Sequence, residues 1–163
     1  MDGNLRKAWS LIITVVLAAK SHATPCKDVS KTLIYCKLGS LDDIDTSFIK
    51  SSFNGSLKID CSSQRILSSF ESKLFSHLGR LQSLDVSNCK LASISVNSFS
   101  GNYLLKDLKI NSYNGDWASA IGLHLFVDSF FGLESLEKLD LSFNGLVLFP
   151  GSALCKISNL KHC

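Results

Sequence analysis

The residues from Leu133 to Leu146, LESLEKLDLSFNGL, constrain the fold more than any other stretch of the chain. Leu133, Leu136, Leu139, Leu141, Asn144 and Leu146 fall in the pattern L-x-x-L-x-x-L-x-L-x-x-N-x-L. Leu139 and Leu141 are two apart, so on an extended strand they point to one face. Leu136 and Leu146 bury the turns on either side. Asn144 stands where the chain leaves the strand, and its amide can bond backbone groups of its own turn and of a neighbouring coil. One such unit cannot enclose a core, so it needs similar units stacked on it.

The chain supplies them. The pattern returns on Leu78, Leu81, Leu84, Val86, Cys89 and Leu91, with Cys in the Asn slot, and again on Leu105, Leu108 and Ile110, with Tyr113 in that slot. Leu57 and Ile59 form an earlier copy, and Ile157 and Leu160 begin a later one. The first strand leucines, Leu57, Leu84, Leu108 and Leu139, are separated by 27, 24 and 31 residues. Phe48, Phe75, Phe99 and Phe130 repeat the same three steps, and Leu154 follows 24 further on. Two apolar series in one register predict an α/β leucine-rich-repeat solenoid of right-handed coils. Its parallel sheet lies on the concave side, its convex side is loops and brief helical turns, and the phenylalanines form a spine inside the core. The expected layout is a signal peptide at 1–23, a disulfide-containing amino-terminal cap at 24–56, and repeats from 57 to 163. Strands fall near 57–59, 84–86, 108–110 and 139–141.

Arg6 and Lys7, a largely apolar run from Trp9 to Ala19, and Ser21-His22-Ala23 make a secretory signal with a cut after Ala23. Eleven helical residues reach about 16 Å at about 1.5 Å each, against about 30 Å for a bilayer core. The run is therefore too short for an anchor, and nothing after Ala23 is apolar for long enough to span. The expected localisation is the secretory pathway and the cell exterior, with membrane attachment only through a missing carboxy-terminal part. Losing Asp2, Arg6, Lys7 and Lys20 takes the net charge from +3 to +1. With no cluster of Lys and Arg, the mature chain is not built for nucleic acid.

All six cysteines, Cys26, Cys36, Cys61, Cys89, Cys155 and Cys163, follow the cut, which makes disulfides the natural reading. Cys26 and Cys36 precede the first coil, where an open end needs sealing. Cys61 and Cys89 follow adjacent strands near one edge. Cys26–Cys36 and Cys61–Cys89 are the expected bonds; other pairings among these four stay open, and the sequence does not pair Cys155 or Cys163. Asn54-Gly55-Ser56 is the chain's N-glycosylation sequon. Lys58, Asp85, Lys109 and Asp140, each between two strand leucines, must face outward in a row of alternating charge. Such a row neutralises itself and makes a poor site for a strongly charged ligand; its plain reading is a solvated face, and its other reading is a contact surface for a partner. The 31-residue step carries extra residues around Asn114–Ser119, with Asp116 and Trp117 as candidate contacts, or with Trp117 covering the coil's edge.

Chemistry is not expected. His22, His77, His124 and His162 lie apart with no Ser-His-Asp or Cys-His spacing. No glycine loop cradles phosphate, no metal-ligand spacing occurs, and Asp42, Asp43 and Asp45 lack the Gly and Glu of a calcium loop. The chain is read as a non-enzyme without cofactor or metal.

Asn88-Cys89-Lys90-Leu91, the run Tyr113-Asn114-Gly115-Asp116-Trp117, Ser129-Phe130 with Leu136-Glu137-Lys138-Leu139-Asp140-Leu141-Ser142, and Leu154-Cys155 carry a family resemblance. Over residues 26–162 the chain resembles the amino-terminal ectodomain of Toll and Toll-like receptors, most of all the long arthropod Toll receptors. The Asn-Gly-Asp-Trp insertion is the specific part. The resemblance implies a horseshoe ectodomain that binds a protein ligand or receptor partner, with a membrane helix and a cytoplasmic TIR domain that this sequence does not contain. Cys163 stands where a strand leucine is expected. The alternatives are a secreted matrix or adhesion protein, a decoy, or a non-functional gene fragment.

Overall fold

The structure, a computed structural model, describes residues 25–62, 66–112, 122–146, 148–154 and 157. The expected signal at 1–23, Tyr113, Asp116 and Trp117, Leu160, and the cysteines at 155 and 163 lie outside the described residues.

Among the described residues nine strands are ordered β1 (Cys26–Ser30), β2 (Leu33–Lys37), β3 (Ser56–Asp60), β4 (Ser68–Phe70), β5 (Ser83–Ser87), β6 (Leu91–Ile94), β7 (Asp107–Asn111), β8 (His124–Leu125) and β9 (Lys138–Asp140). They form a six-stranded sheet, β1-β2-β3-β5-β7-β9, and a three-stranded sheet, β4-β6-β8. Every pairing except the β1–β2 hairpin is parallel. The register of the long sheet follows the repeat: Leu57 opposes Leu84, Leu84 opposes Leu108, and Leu108 opposes Leu139. Ile59, Val86 and Ile110 align in the same way. The period of two therefore sends one leucine stripe inward, and Leu57, Ile59, Leu84, Val86, Leu108 and Ile110 are each at most 1% exposed. Each buried side chain of this size is worth roughly 1.5–3 kcal/mol relative to exposure.

The parallel ladder starts earlier than residue 57. Ile34 opposes Leu57 and Cys36 opposes Ile59, so β2 is already a rung, and only β1 folds back on it antiparallel. Cys26 is disulfide-bonded to Cys36 and buried with it, which closes that hairpin over the first coil.

Opposite the long sheet, the coils return through turns and 3-10 turns, among them Leu41–Asp43 and Gly151–Ala153. No α-helix occurs among the described residues. The short sheet runs along this side, and it has a legible cause: Phe70, Ile94 and Leu125 keep the 24- and 31-residue steps of Phe75, Phe99 and Phe130. All three are at most 5% exposed.

The aromatic spine differs from expectation at its first member. Phe75, Phe99 and Phe130 are fully buried, but Phe48 is 41% exposed and its neighbour Ile49 is buried. Asp45 Oδ1 accepts from the Ser47 amide, and the Ile49 amide closes a turn onto Thr46 O. That tight turn presents the residue at 49, not 48, to the interior. The additional core ring comes from Phe70, packed edge-on to Phe75 at 5.5 Å and 4.8 Å from Phe99, which stacks on Phe130 at 6.1 Å.

Polar side chains pin coil to coil. The Ser98 hydroxyl donates to Phe70 O and the Ser129 hydroxyl to Ile94 O, each on the coil before, and both serines are fully buried. Asn102 Nδ2 reaches back to Phe75 O and Leu78 O. Gly101 and Gly132, at φ +99° and +96°, let adjacent coils close. A Cβ there would lie 2.7 Å from Ser76 O and 2.8 Å from Phe99 O.

Candidate functional site

The outward residues of the long sheet are set by the same alternation that fills the core. Tyr35, Lys58, Asp85, Lys109 and Asp140 form one unbroken row across five parallel strands, each opposite the next. Neighbouring strands lie about 4.8 Å apart, close enough for the charges to pair. Lys58 Nζ is 3.5 Å from Asp85 Oδ2, with the two side chains 47% and 24% exposed. Asp85 also accepts from the Ser87 hydroxyl. Hydrogen bonds from the hydroxyl and amide of Ser142 hold the Asp140 carboxyl below its ordinary value. Burial opposes that shift slightly, and the Lys109 charge adds to it. The flanking row pairs as well, with Lys138 Nζ 3.3 Å from Asp107 Oδ1. Lys106 and Glu137 make a further pair at 3.1 Å on the loops leading into β7 and β9. The sheet thus presents charges that mostly answer one another. In so exposed a setting each pair is worth under about 1 kcal/mol.

At the amino-terminal end of the row a polar cluster crosses three coils. Tyr35 donates its hydroxyl to Asp60 Oδ2 at 3.1 Å, and Asn88 Nδ2 donates to Asp60 Oδ1 at 3.1 Å. The Ser62 amide also donates to Asp60 Oδ1. Burial alone would raise the Asp60 carboxyl, but the hydrogen bonds from Asn88, Ser62 and Tyr35 outweigh it and leave the group below its ordinary value. Tyr35 moves up, through burial first and then through its bond to Asp60 and that residue's charge. Sequence reasoning missed this cluster, because Tyr35 joins the row only once β2 is known to be a rung.

The edge where strands end is tied by one relation used twice. Residues 61 and 112 close one coil, and residues 89 and 144 occupy the Asn slot of the next. Cys61 and Cys89 are joined by a buried disulfide. At the second site Asn144 Oδ1 accepts from the Ser112 amide and hydroxyl, while Nδ2 donates to Ile110 O and Leu141 O. Asn144 is 1% exposed. Ser112, the last described residue before Asp116 and Trp117, lies at this edge. Asn54 is exposed on the opposite edge, in the loop entering β3.

His77 Nε2 lies 3.1 Å from Thr46 O, and His124 packs edge-on against Phe126. Among the described residues no three His, Cys, Asp or Glu side chains gather as metal ligands do. No helix among them is long and apolar enough to cross a membrane. What the arrangement offers is a rigid, hydrogen-bonded face with regularly spaced polar groups.

A Leucine Rich Repeat family model matches residues 80–102 and 135–157. Toll-like receptor 7 of Drosophila melanogaster is 38% identical over 109 residues, which covers 64% of this chain and 7% of the receptor. The chain thus spans a small fraction of that receptor's length. Together these findings bear out the resemblance to a Toll-like leucine-rich-repeat ectodomain.

Proposed function

We propose that this Toll-like leucine-rich-repeat chain is an extracellular protein-recognition module, the front part of a receptor-type ectodomain, and that it works by binding without chemistry. The observation that carries the reading is the unbroken outward row Tyr35, Lys58, Asp85, Lys109 and Asp140 on five parallel strands. Its backbone is fixed by the core behind it, so little conformational entropy remains to be lost on docking. The identity to an insect Toll-like receptor supports the receptor reading. Because the row neutralises itself, the partner is a protein surface of mixed polarity rather than a polyanion. Asp116 and Trp117 are proposed as further contacts. Entry to the secretory route through residues 1–23 and a role in immune or developmental signalling complete the proposal.

The test is direct. The chain, expressed with its own first 23 residues, is immobilised and screened against a panel of purified extracellular proteins. Saturable binding that weakens at least tenfold in Lys58→Ala/Lys109→Ala or in Asp116→Ala/Trp117→Ala, with unchanged melting temperature, supports the reading. Binding indifferent to both double variants, or no saturable binding at all, overturns it.

A further inference from the structure

The amino-terminal end of the solenoid carries a groove between the β1–β2 hairpin and the turns at 47–53. Ile34, Ile49 and Phe53 form its apolar floor and the half-exposed Phe48 its wall, while Lys31 and Lys50 stand on the rim. A half-exposed aromatic ring beside a groove offers a surface that a neighbouring group can cover. The chain brings one within reach, because Asn54, exposed and next to Phe53, begins the sequon Asn54-Gly55-Ser56.

The sequon is held in one place. The Ser56 amide donates to Thr32 O at 2.8 Å, and the amides of Gln82 and Ser83 donate to Gly55 O. Gly55 is buried, and a Cβ on it would lie 2.4 Å from Thr32 O, so this position has no room for a side chain. The residues that follow Asn54 are therefore pinned, Ser56 against the hairpin turn at Thr32 and Gly55 against the next coil, and Asn54 stands exposed next to Phe53, which lines the groove.

We propose that Asn54 is N-glycosylated and that the first N-acetylglucosamine lies over the groove, its C–H face on Phe48 and Phe53 and its polar groups toward Lys31 and Lys50. The donor is a lipid-diphosphate-linked oligosaccharide of the secretory pathway. The bond from Asn54 Nδ2 to the sugar's anomeric carbon forms, the bond from that carbon to the diphosphate oxygen breaks, the amide loses one proton, and the lipid diphosphate leaves. A sugar ring suits this site because one of its faces is apolar enough to stack on an aromatic side chain while its edge keeps hydrogen bonds. The glycan then marks the edge where strands begin as non-docking surface and leaves the opposite edge, where Ser112 and Asn144 lie, open to a partner.

The inference rests on the secretory reading, and the experiment separates the two. The full chain is expressed in cells that keep glycans in the high-mannose form. Endoglycosidase H then leaves one sugar on Asn54, whereas peptide N-glycosidase removes all of it and leaves aspartate. Hydrogen exchange is compared over residues 48–53, with Asn54→Asp as the control for that aspartate. The expected result is exchange about fivefold slower in the one-sugar form than in either sugar-free form, with the difference abolished in Phe48→Ala. Secretion with cleavage after Ala23 but no sugar on Asn54 overturns the inference alone. A sugar on Asn54 without the exchange difference, or with a difference that survives Phe48→Ala, overturns the placement over the groove. Retention in the cytosol with residues 1–23 uncleaved overturns the secretory reading and this inference with it.

Discussion

Replacing Asn144 with Ala tests how much of this fold depends on one amide. The side chain makes four hydrogen bonds of 2.6–2.8 Å, from the Ser112 amide and hydroxyl and to the carbonyls of Ile110 and Leu141, at a site 1% exposed. Alanine removes the partner of three backbone groups, of which the Ser112 amide and the Ile110 carbonyl are left buried. A buried polar group without a partner costs about 1–3 kcal/mol. Relaxation and entering water lower the sum, so the expected loss is about 3 kcal/mol. For a domain of this size that is a fall of roughly 10 °C in melting temperature. Denaturant unfolding followed by circular dichroism gives the free energy, and an unchanged slope against denaturant shows that the same surface unfolds. Asn144→Asp sharpens the test. Aspartate keeps the acceptor for Ser112 but turns a carboxylate toward two carbonyl oxygens, so its acid form is favoured in the folded state and its pKa is raised. The variant is then most stable below the unfolded pKa and loses stability as pH rises through the folded one. A loss under about 0.5 kcal/mol for Asn144→Ala, as for an ordinary surface substitution, or an Asn144→Asp protein that strengthens as pH rises, would refute the reasoning.

Four further outcomes follow from the same geometry. Phe99→Ala, at the centre of the ring stack, is expected to cost about 3–5 kcal/mol, while Phe48→Ala in the unglycosylated chain costs under about 1 kcal/mol; thermal melts of the pair check the reversal of roles at residue 48. Gly101→Ala and Gly132→Ala each destabilise by more than about 1 kcal/mol, because the backbone is left-handed and a Cβ meets a carbonyl, whereas Gly151→Ala, with open space around it, stays within about 0.5 kcal/mol. Asp60, held below its ordinary value, contributes stability that is complete above the unfolded pKa and is lost as pH falls through the folded one; Asp60→Asn flattens the acid limb of the stability curve, and carbon-detected NMR titration of Asp60 reads the shift itself. A double-mutant cycle on Lys58 and Asp85 gives a coupling under about 1 kcal/mol that shrinks with added salt.

The long sheet was legible because strand positions and core positions coincide in the repeat. Leu57, Leu84, Leu108 and Leu139 named the strands, and spacing alone put Lys58, Asp85, Lys109 and Asp140 on the outer face. The first rung was less visible, since Ile34 and Cys36 stand where later coils use leucine with leucine, valine or isoleucine, and the polar cluster on Tyr35 was hidden with it. Phe48 misled because a period reports which residue type recurs, whereas the turn set by Asp45 and Thr46 decides which neighbour points inward. The short sheet could have been read from Phe70, Ile94 and Leu125, which keep the steps of the phenylalanine series, but its strands of 3, 4 and 2 residues are too short to show an alternation. Asn144 was legible to the level of its bonding partners, because a polar residue fixed at the end of an inward stripe has only backbone groups within reach.

The most direct measurement of the central claim is the pattern of backbone nuclear Overhauser contacts between Leu57, Leu84, Leu108 and Leu139 in the isotopically labelled protein. Stacked coils require close amide and α-proton contacts between each of these residues and the next in the pattern of a parallel ladder, with Ile34 joined to Leu57 at one end. Contacts showing antiparallel pairs among these strands, or none linking residues two dozen apart, would contradict the account.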